Sequence, residues 1–351
     1  MKIAIIAITR DGARLGTRLR DGLGSAELFV IQKYRGAAGK NSVPFTGELS
    51  ELVTRLWPEY DGFVFIMAAG IVVRVIAPHL SGKEVDPAVV VMDDTARFAI
   101  SLLSGHLGGA NELAARCAFI TGAREVITTA TDGHDLPSFD MLAKDHGWEI
   151  EELARVKLLN SMLLDDEEIA VMDSTGLVRP HFHGRGRLVF HDTFVAARRS
   201  GAKGFLFVAN SVIPPQLRSE NLLVLRPKNL VLGIGCNSGT SADEIEEVVG
   251  ANLKRLFLAI KSVRCVASAV AKRDEAGLLE FAGRLGVPVR FYESDELNAV
   301  SVPTPPSKAA LEAIGAVGVA EPAALLASGG GRLILTKVKS GNVTLAIAEV
   351  G

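Results

Sequence analysis

Short runs of Val, Ile, Leu and Phe recur through the first third of the chain. Each gives way to a stretch whose apolar positions repeat at helical spacing. The runs predict strands over Lys2–Ile8, Glu27–Ile31, Gly62–Ile66, Ala88–Val91 and Glu125–Thr128. The amphipathic stretches predict helices over Ala13–Leu23, Glu48–Leu56 and Asn111–Ile120. Runs without period-two alternation are strands covered on both faces. Their alternation with helices predicts a doubly wound parallel sheet. From Asn229 the pattern restarts with NLVLGIGC, a helix over Ala242–Leu256, a strand over Val263–Ala267, a helix over Glu275–Leu285 and a strand over Pro288–Tyr292. A helix over Glu321–Leu326 and strands over Leu333–Thr336 and Val343–Ala348 follow.

Between these regions the periodicity weakens. This stretch carries the acidic run Asp165–Glu168 and then His181, His183, Arg185, Arg187, His191, Arg198 and Arg199. Pro214-Pro215 and Arg226-Pro227-Lys228 read as punctuation before a new domain. The fold class expected is α/β: two doubly wound, Rossmann-like end domains, 1–132 and 229–351, joined by a smaller middle domain or connector, 133–228.

Composition narrows the function. A chain of 351 residues, 48% of them apolar, is long enough for more than one core. Its 38 basic and 40 acidic side chains nearly cancel, which disfavours a nucleic-acid or membrane-surface binder. Cys117, Cys236 and Cys265 lie far apart and form no CxxC pair, so a reducing cytoplasm is expected. The apolar N-terminal run meets Arg10 and Asp11 too soon to span a bilayer.

The stretch richest in chemistry is ISLLSGHLGGANELA, Ile100–Ala114. A strand runs into Ser104-Gly105-His106, then Gly108-Gly109, then a helix opening near Asn111 with Glu112 in its first turn. Glycines let a ligand approach the backbone, and a helix start offers N–H groups to an anion. Histidine moves protons near neutral pH. A tight turn with a capping Asn and a hydrogen-bonded His explains the same residues equally well. In FIMAAGIVVRVIAP, Ala68, Ala69 and Gly70 follow a strand and open a helix carrying Arg74. Carboxyl ends of parallel strands bind ligands, although close packing with Arg74 on the surface is the stronger reading there. Thr128–Asp132, TTATD, ends another strand, and Lys83 and Asp86 sit in a loop.

LVLGIGCNSGTSADEI imitates a dinucleotide fingerprint, but Ser238 stands at the third glycine position and the acid after the next strand is missing. An anion-binding turn with Ser238, Thr240 and Ser241 is the better reading. His181 and His183 share a face if they lie on a strand. No Cys or carboxylate completes a metal set with them, so a basic docking patch with Arg185 and Arg187 is preferred.

Together these stretches resemble the cobalt-precorrin-5A hydrolase family. The residues carrying the resemblance are MAAGIVVRVIAPHL, K-x-x-DPAVVV (Lys83 to Val91), ISLLSGHLGGANELA, VITTATD, GIGCNSGTSADEI, AKRDEAGLLEFAGRLGVPVRFYESDEL and GVAEPAALLAS. Two departures stand out. Ala96 occupies a position before the ISLLSGH strand where the family usually has Gly, and KAALEAIGAVGV after Ser307 drifts from the usual form.

The resemblance implies a tetrapyrrole substrate, cobalt-precorrin 5A, whose ring-A acetate is closed as a δ-lactone. Opening the lactone releases the C-20 carbon with its methyl group as acetaldehyde and leaves cobalt-precorrin 5B. Cobalt then arrives inside the substrate, and no cofactor or protein-bound metal is expected. On this footing His106 is the expected base, Glu112 orients it, and the Gly108 and Gly109 amides hold the oxyanion or a carboxylate. Arg74 and Lys83 bind acetate and propionate groups. Ala69, Gly70, Ser104, Gly105, Asn111, Thr129, Asp132, Gly235, Cys236, Ser238 and Thr240 complete the expected contacts. A homodimer and transient contact with neighbouring pathway enzymes are further expectations. The alternative is a non-catalytic corrinoid carrier of the same pathway.

Overall fold

The computed structural model describes residues 1–82, 85–129 and 136–351. Lys83 and Asp132, both expected at the ligand site, lie outside the described residues. The chain divides into two compact units, Met1–Met141 and Leu142–Gly351.

The first unit is built on β1 (Ile3–Ala7), β2 (Ala26–Ile31), β3 (Ser42–Phe45), β4 (Gly62–Ile66), β5 (Ala88–Met92), β6 (Phe98–Leu103) and β7 (Arg124–Val126), in the order β3-β2-β1-β4-β5-β6-β7. Ile3, Ile5 and Ala7 pack into one core with the helices Arg10–Leu23 and Ala110–Thr121, while Ala4 and Ile6 pack into another with Leu49–Leu56 and Ala69–Ile76. That two-sided burial explains the unbroken apolar runs. Each buried Ile or Phe contributes roughly 1.5–3 kcal/mol.

The α/β class is the one read from the sequence, but the parallel order breaks at β6. Strands β1 to β5 are parallel, β6 is antiparallel to β5, and β7 is parallel to β6. The turn that reverses the chain is held by Asp93. Its carboxylate accepts the N–H groups of Thr95 (3.1 Å), Arg97 (3.0 Å) and Phe98 (2.8 Å), and the Thr95 hydroxyl. Burial raises the Asp93 carboxyl, but these hydrogen bonds outweigh it and hold it below the usual range. The turn also needs a left-handed residue, and Ala96 supplies it at φ +56°.

The second unit contains two sheets. One is β10-β9-β11-β12-β8, from β8 (Glu149–Ile150), β9 (Ile169–Asp173), β10 (Leu188–Phe190), β11 (Gly204–Val208) and β12 (Leu222–Arg226). All its pairings are parallel except β12 with β8. The stretch read as a smaller middle domain or connector thus carries an α/β sheet of its own. Arg226, read with Pro227 and Lys228 as punctuation before a new domain, also has a structural role. It is fully buried at the end of β12, donating to Glu151 Oε1 (2.7 Å) and to the carbonyls of Ala209 and Ser211. His181 lies in the Val178–Phe182 helix and His183 is its left-handed cap, which overturns the shared-strand-face reading.

The other sheet is β15-β14-β13-β17-β16, from β13 (Leu230–Cys236), β14 (Val263–Ala269), β15 (Val289–Tyr292), β16 (Arg332–Ser340) and β17 (Val343–Glu349). A Cβ on Gly233 would lie 1.9 Å from the Ala320 carbonyl oxygen. This glycine therefore serves packing against the Ala320–Ala327 helix. Among the described residues, no helix is long and apolar enough to cross a membrane.

Candidate functional site

The end of β6 and the turn after it form a cavity of about 320 Å³ lined by Ser101–Leu107, Asn111, Thr128, Thr129 and Asp140. Four expected contacts, Ser104, Gly105, Asn111 and Thr129, meet His106 here. Asn111 ties the walls together: its Oδ1 accepts from Ser101 Oγ (2.7 Å) and its Nδ2 donates to Thr129 Oγ1 (3.1 Å). It does not cap the helix. Gly109 is the N-cap, in the left-handed region at φ +87°, with no side-chain cap bond.

His106 Nδ1 lies 3.3 Å from Asp140 Oδ2. Asp140 sits in the first turn of the Phe139–Asp145 helix and is only 4% exposed. This corrects the expected partner: Glu112 is exposed on the Ala110–Thr121 helix and does not pair with His106. A carboxylate at Nδ1 fixes the proton there and makes Nε2 the basic nitrogen. The sequence reading passed over Asp140 because it lies far along the chain in an undistinguished apolar stretch. The available signal was a single acid among Phe139, Met141 and Leu142.

The helix start is less open to an anion than its glycines suggested. The Gly109 N–H donates to the His106 carbonyl (3.0 Å), that of Ala110 to Ser104 (3.1 Å) and that of Asn111 to Gly105 (3.1 Å). Gly109 is therefore not available to hold an oxyanion. The Gly108 N–H has no acceptor among the described residues.

Ala69, Gly70 and Arg74 do not join this cavity. They follow β4 at its carboxyl end, whereas Leu103 pairs with Val89 near the amino end of β5. Reversal of β6 puts the two groups at opposite edges of the sheet, about 16 Å apart at roughly 3.3 Å per residue. Arg74 is exposed and its guanidinium donates back to the Gly70 carbonyl (2.8 Å). Asp86, read as part of a loop, is buried and accepts the N–H groups of Ser81 (2.9 Å) and Gly82 (3.1 Å).

In the second unit, Gly235, Cys236 and Ser238 line a cavity of about 550 Å³ with Lys272, Lys337 and Lys339. Its glycine turn is not an empty anion site. The Gly239 N–H donates to the Glu275 carboxylate (3.1 Å), Thr240 Oγ1 donates to the Asn237 carbonyl (2.8 Å), and Ser241 caps its helix. Thr240 is buried and lies outside the cavity lining. Bonds from Lys272 and Gly239 hold the Glu275 carboxyl below its usual range. Burial pushes the Cys236 thiol up, which disfavours its thiolate.

Three parallel-rich sheets and a histidine–carboxylate pair in a small polar cavity define an α/β protein equipped for acid–base chemistry. Three family descriptions match in chain order: Cobalamin synthesis G N-terminal over residues 51–132, Cobalamin biosynthesis central region over 137–227, and Cobalamin synthesis G C-terminus over 230–348. The chain is 36% identical to a cobalt-precorrin-5A hydrolase of Priestia megaterium, with 99% of this chain and 94% of that one covered. It is 30% identical to the Salmonella typhimurium protein of the same name, covering 99% and 98%. Protein CobE of a Sinorhizobium species matches 34% of this chain at 37% identity, over 79% of its own length. The chain belongs to the cobalt-precorrin-5A hydrolase family.

Proposed function

We propose that this chain hydrolyses cobalt-precorrin 5A, opening the ring-A δ-lactone and releasing C-20 with its methyl group as acetaldehyde to give cobalt-precorrin 5B. The observation that carries the chemistry is the buried Asp140 carboxylate against His106 Nδ1. Lactone opening needs a base to activate the nucleophile and an acid for the departing alkoxide. A histidine held in one tautomer performs both in turn. The Gly108 N–H is the donor assigned to the developing oxyanion. At about 320 Å³ the cavity is at the small end for ligand pockets and suits one edge of a macrocycle. Cobalt enters as part of the substrate. The three cysteines are free thiols, which supports a reducing, cytoplasmic setting.

The test is anaerobic incubation with cobalt-precorrin 5A, with acetaldehyde assayed and the corrinoid weighed by mass spectrometry. Acetaldehyde with a two-carbon loss is expected. Tight binding without turnover would favour the second reading, a corrinoid carrier. That reading draws on the roomier cavity near Lys272, Lys337 and Lys339, in the third of the chain that matches CobE.

A further inference from the structure

Ser104 carries two costs that ordinary turn-making does not require. Its backbone is left-handed, at φ +57°, where a residue with a side chain is disfavoured. The residue is buried, at 9% exposure, and its Oγ has no hydrogen-bond partner among the described residues. The conformation is held in place from several directions. The Ser104 carbonyl accepts the Ala110 N–H (3.1 Å), and the Gly105 carbonyl accepts that of Asn111 (3.1 Å). A Cβ on Gly108 would meet Ser104 Cβ at 2.4 Å, so only glycine lets the helix start descend onto this serine. An over-determined, strained residue with an unsatisfied buried hydroxyl marks a functional position. Ser104 lines the same cavity as His106 and Asp140.

Accepting the hydrolase reading above, we infer that Ser104 Oγ is the nucleophile that opens the lactone. When substrate binds, Oγ turns from its unpartnered position to donate to His106 Nε2, which takes its proton as Oγ attacks the lactone carbonyl carbon. The tetrahedral intermediate collapses by breaking the bond from acyl carbon to ring oxygen. His106 returns the proton to that oxygen, leaving a free hydroxyl and an ester to Ser104. Water, deprotonated by His106, then attacks the ester. The bond to Oγ breaks, the serine regains a proton, and the acetate leaves as a carboxylate. The sum is lactone plus water, with no other reactant. Asp140 acts through His106 and is a positioning residue. Strand, strained serine and helix also recur in order at the nucleophile of other serine hydrolases, here without the flanking GxSxG pattern.

Two measurements on the full chain test this. In the first, the protein is incubated exhaustively with a fluorophosphonate and digested for peptide mass spectrometry. One phosphonyl group on Ser104, labelling at least tenfold slower in Asp140→Asn, and none in His106→Gln are expected. No label on Ser104 overturns the inference. The second uses Ser104→Gly, whose left-handed preference favours the native backbone, so the variant folds at least as well as the parent. The expected result is a raised Tm with turnover of the lactone substrate reduced about 100-fold or more; a smaller loss overturns the assignment. If the unaltered chain releases no acetaldehyde, the hydrolase reading fails instead, and the fluorophosphonate result still decides whether Ser104 is an activated nucleophile.

Discussion

Ala96 is where one side chain works against its own backbone. The turn between β5 and β6 needs a left-handed residue, and this chain places alanine there at φ +56°. Ala96→Gly should therefore stabilise the protein by about 0.5–1 kcal/mol, since a left-handed alanine costs more than the added freedom of glycine in the unfolded chain. Thermal unfolding followed by circular dichroism reads this directly. At the site, Asp140→Asn should lower kcat on the order of 10²–10⁴-fold, because an amide no longer fixes the basic tautomer of His106. Glu112→Gln, exposed and away from the imidazole, should change kcat less than twofold. Added imidazole should restore part of the turnover of His106→Gly but none to Asp140→Asn, an outcome a purely structural role for His106 would not give.

Buried charge sets the strength of β12. Arg226 is wholly enclosed, and burial lowers its pKa while the bond to Glu151 opposes that effect. Glu151 also meets Arg218 at 2.9 Å. Replacing Arg226 with Met removes a partner of the mostly buried Glu151 carboxylate and leaves two carbonyl acceptors, Ala209 and Ser211, without their donor. Urea denaturation should show a loss of about 3–5 kcal/mol. Arg226→Met combined with Glu151→Leu should recover most of it, since a well-packed apolar pair avoids the desolvation cost. Element reading from the sequence was sound where apolar runs were long, as in β1, β4 and β13. It missed β3, whose four residues SVPF include a proline, and underread β8 to β12 because short strands lie between weakly periodic helices. Two of those strands, GFLFV and LLVLR, are buried throughout.

Within the second unit the two sheets are joined by backbone as well as charge. The Val212 N–H donates to the Phe257 carbonyl and the Ala259 N–H to Asn210, each at 2.7 Å. Glu149 on β8 binds Lys228 (3.2 Å) and Lys261 (2.9 Å). Burial raises the Glu149 carboxyl, but the two lysines more than offset this and leave it below the ordinary glutamate value of 4.5. A depressed native pKa adds stability above the unfolded value and loses it as pH falls through the native one. Asp93 acts in the same direction from an ordinary value of 3.8. Stability should therefore hold above about pH 5 and fall through pH 4 and below. Glu149→Gln should be less stable than the parent by about 1 kcal/mol or less at pH 7, a partly exposed pair being weak. The difference should vanish near pH 3, as read from denaturant midpoints across pH.

The α/β class and most of the long strands follow from the sequence alone. Val- and Ile-rich runs can be buried only with helices on both faces, and that constraint is local. The sequence also singled out the Ser104–Asn111 turn as the place where chemistry concentrates. Strand direction was not local information. The Asp93 turn reverses β6, and that reversal moved the Ser104 turn to the sheet edge opposite Gly70 and Arg74. Partner identity was likewise tertiary: Asp140 reaches His106 from a helix more than thirty residues away, while the neighbouring Glu112 points to solvent. Spacing along a chain records which residues share a turn or a face. It does not record which distant carboxylate is enclosed beside an imidazole, and that enclosure gives the pair its chemistry.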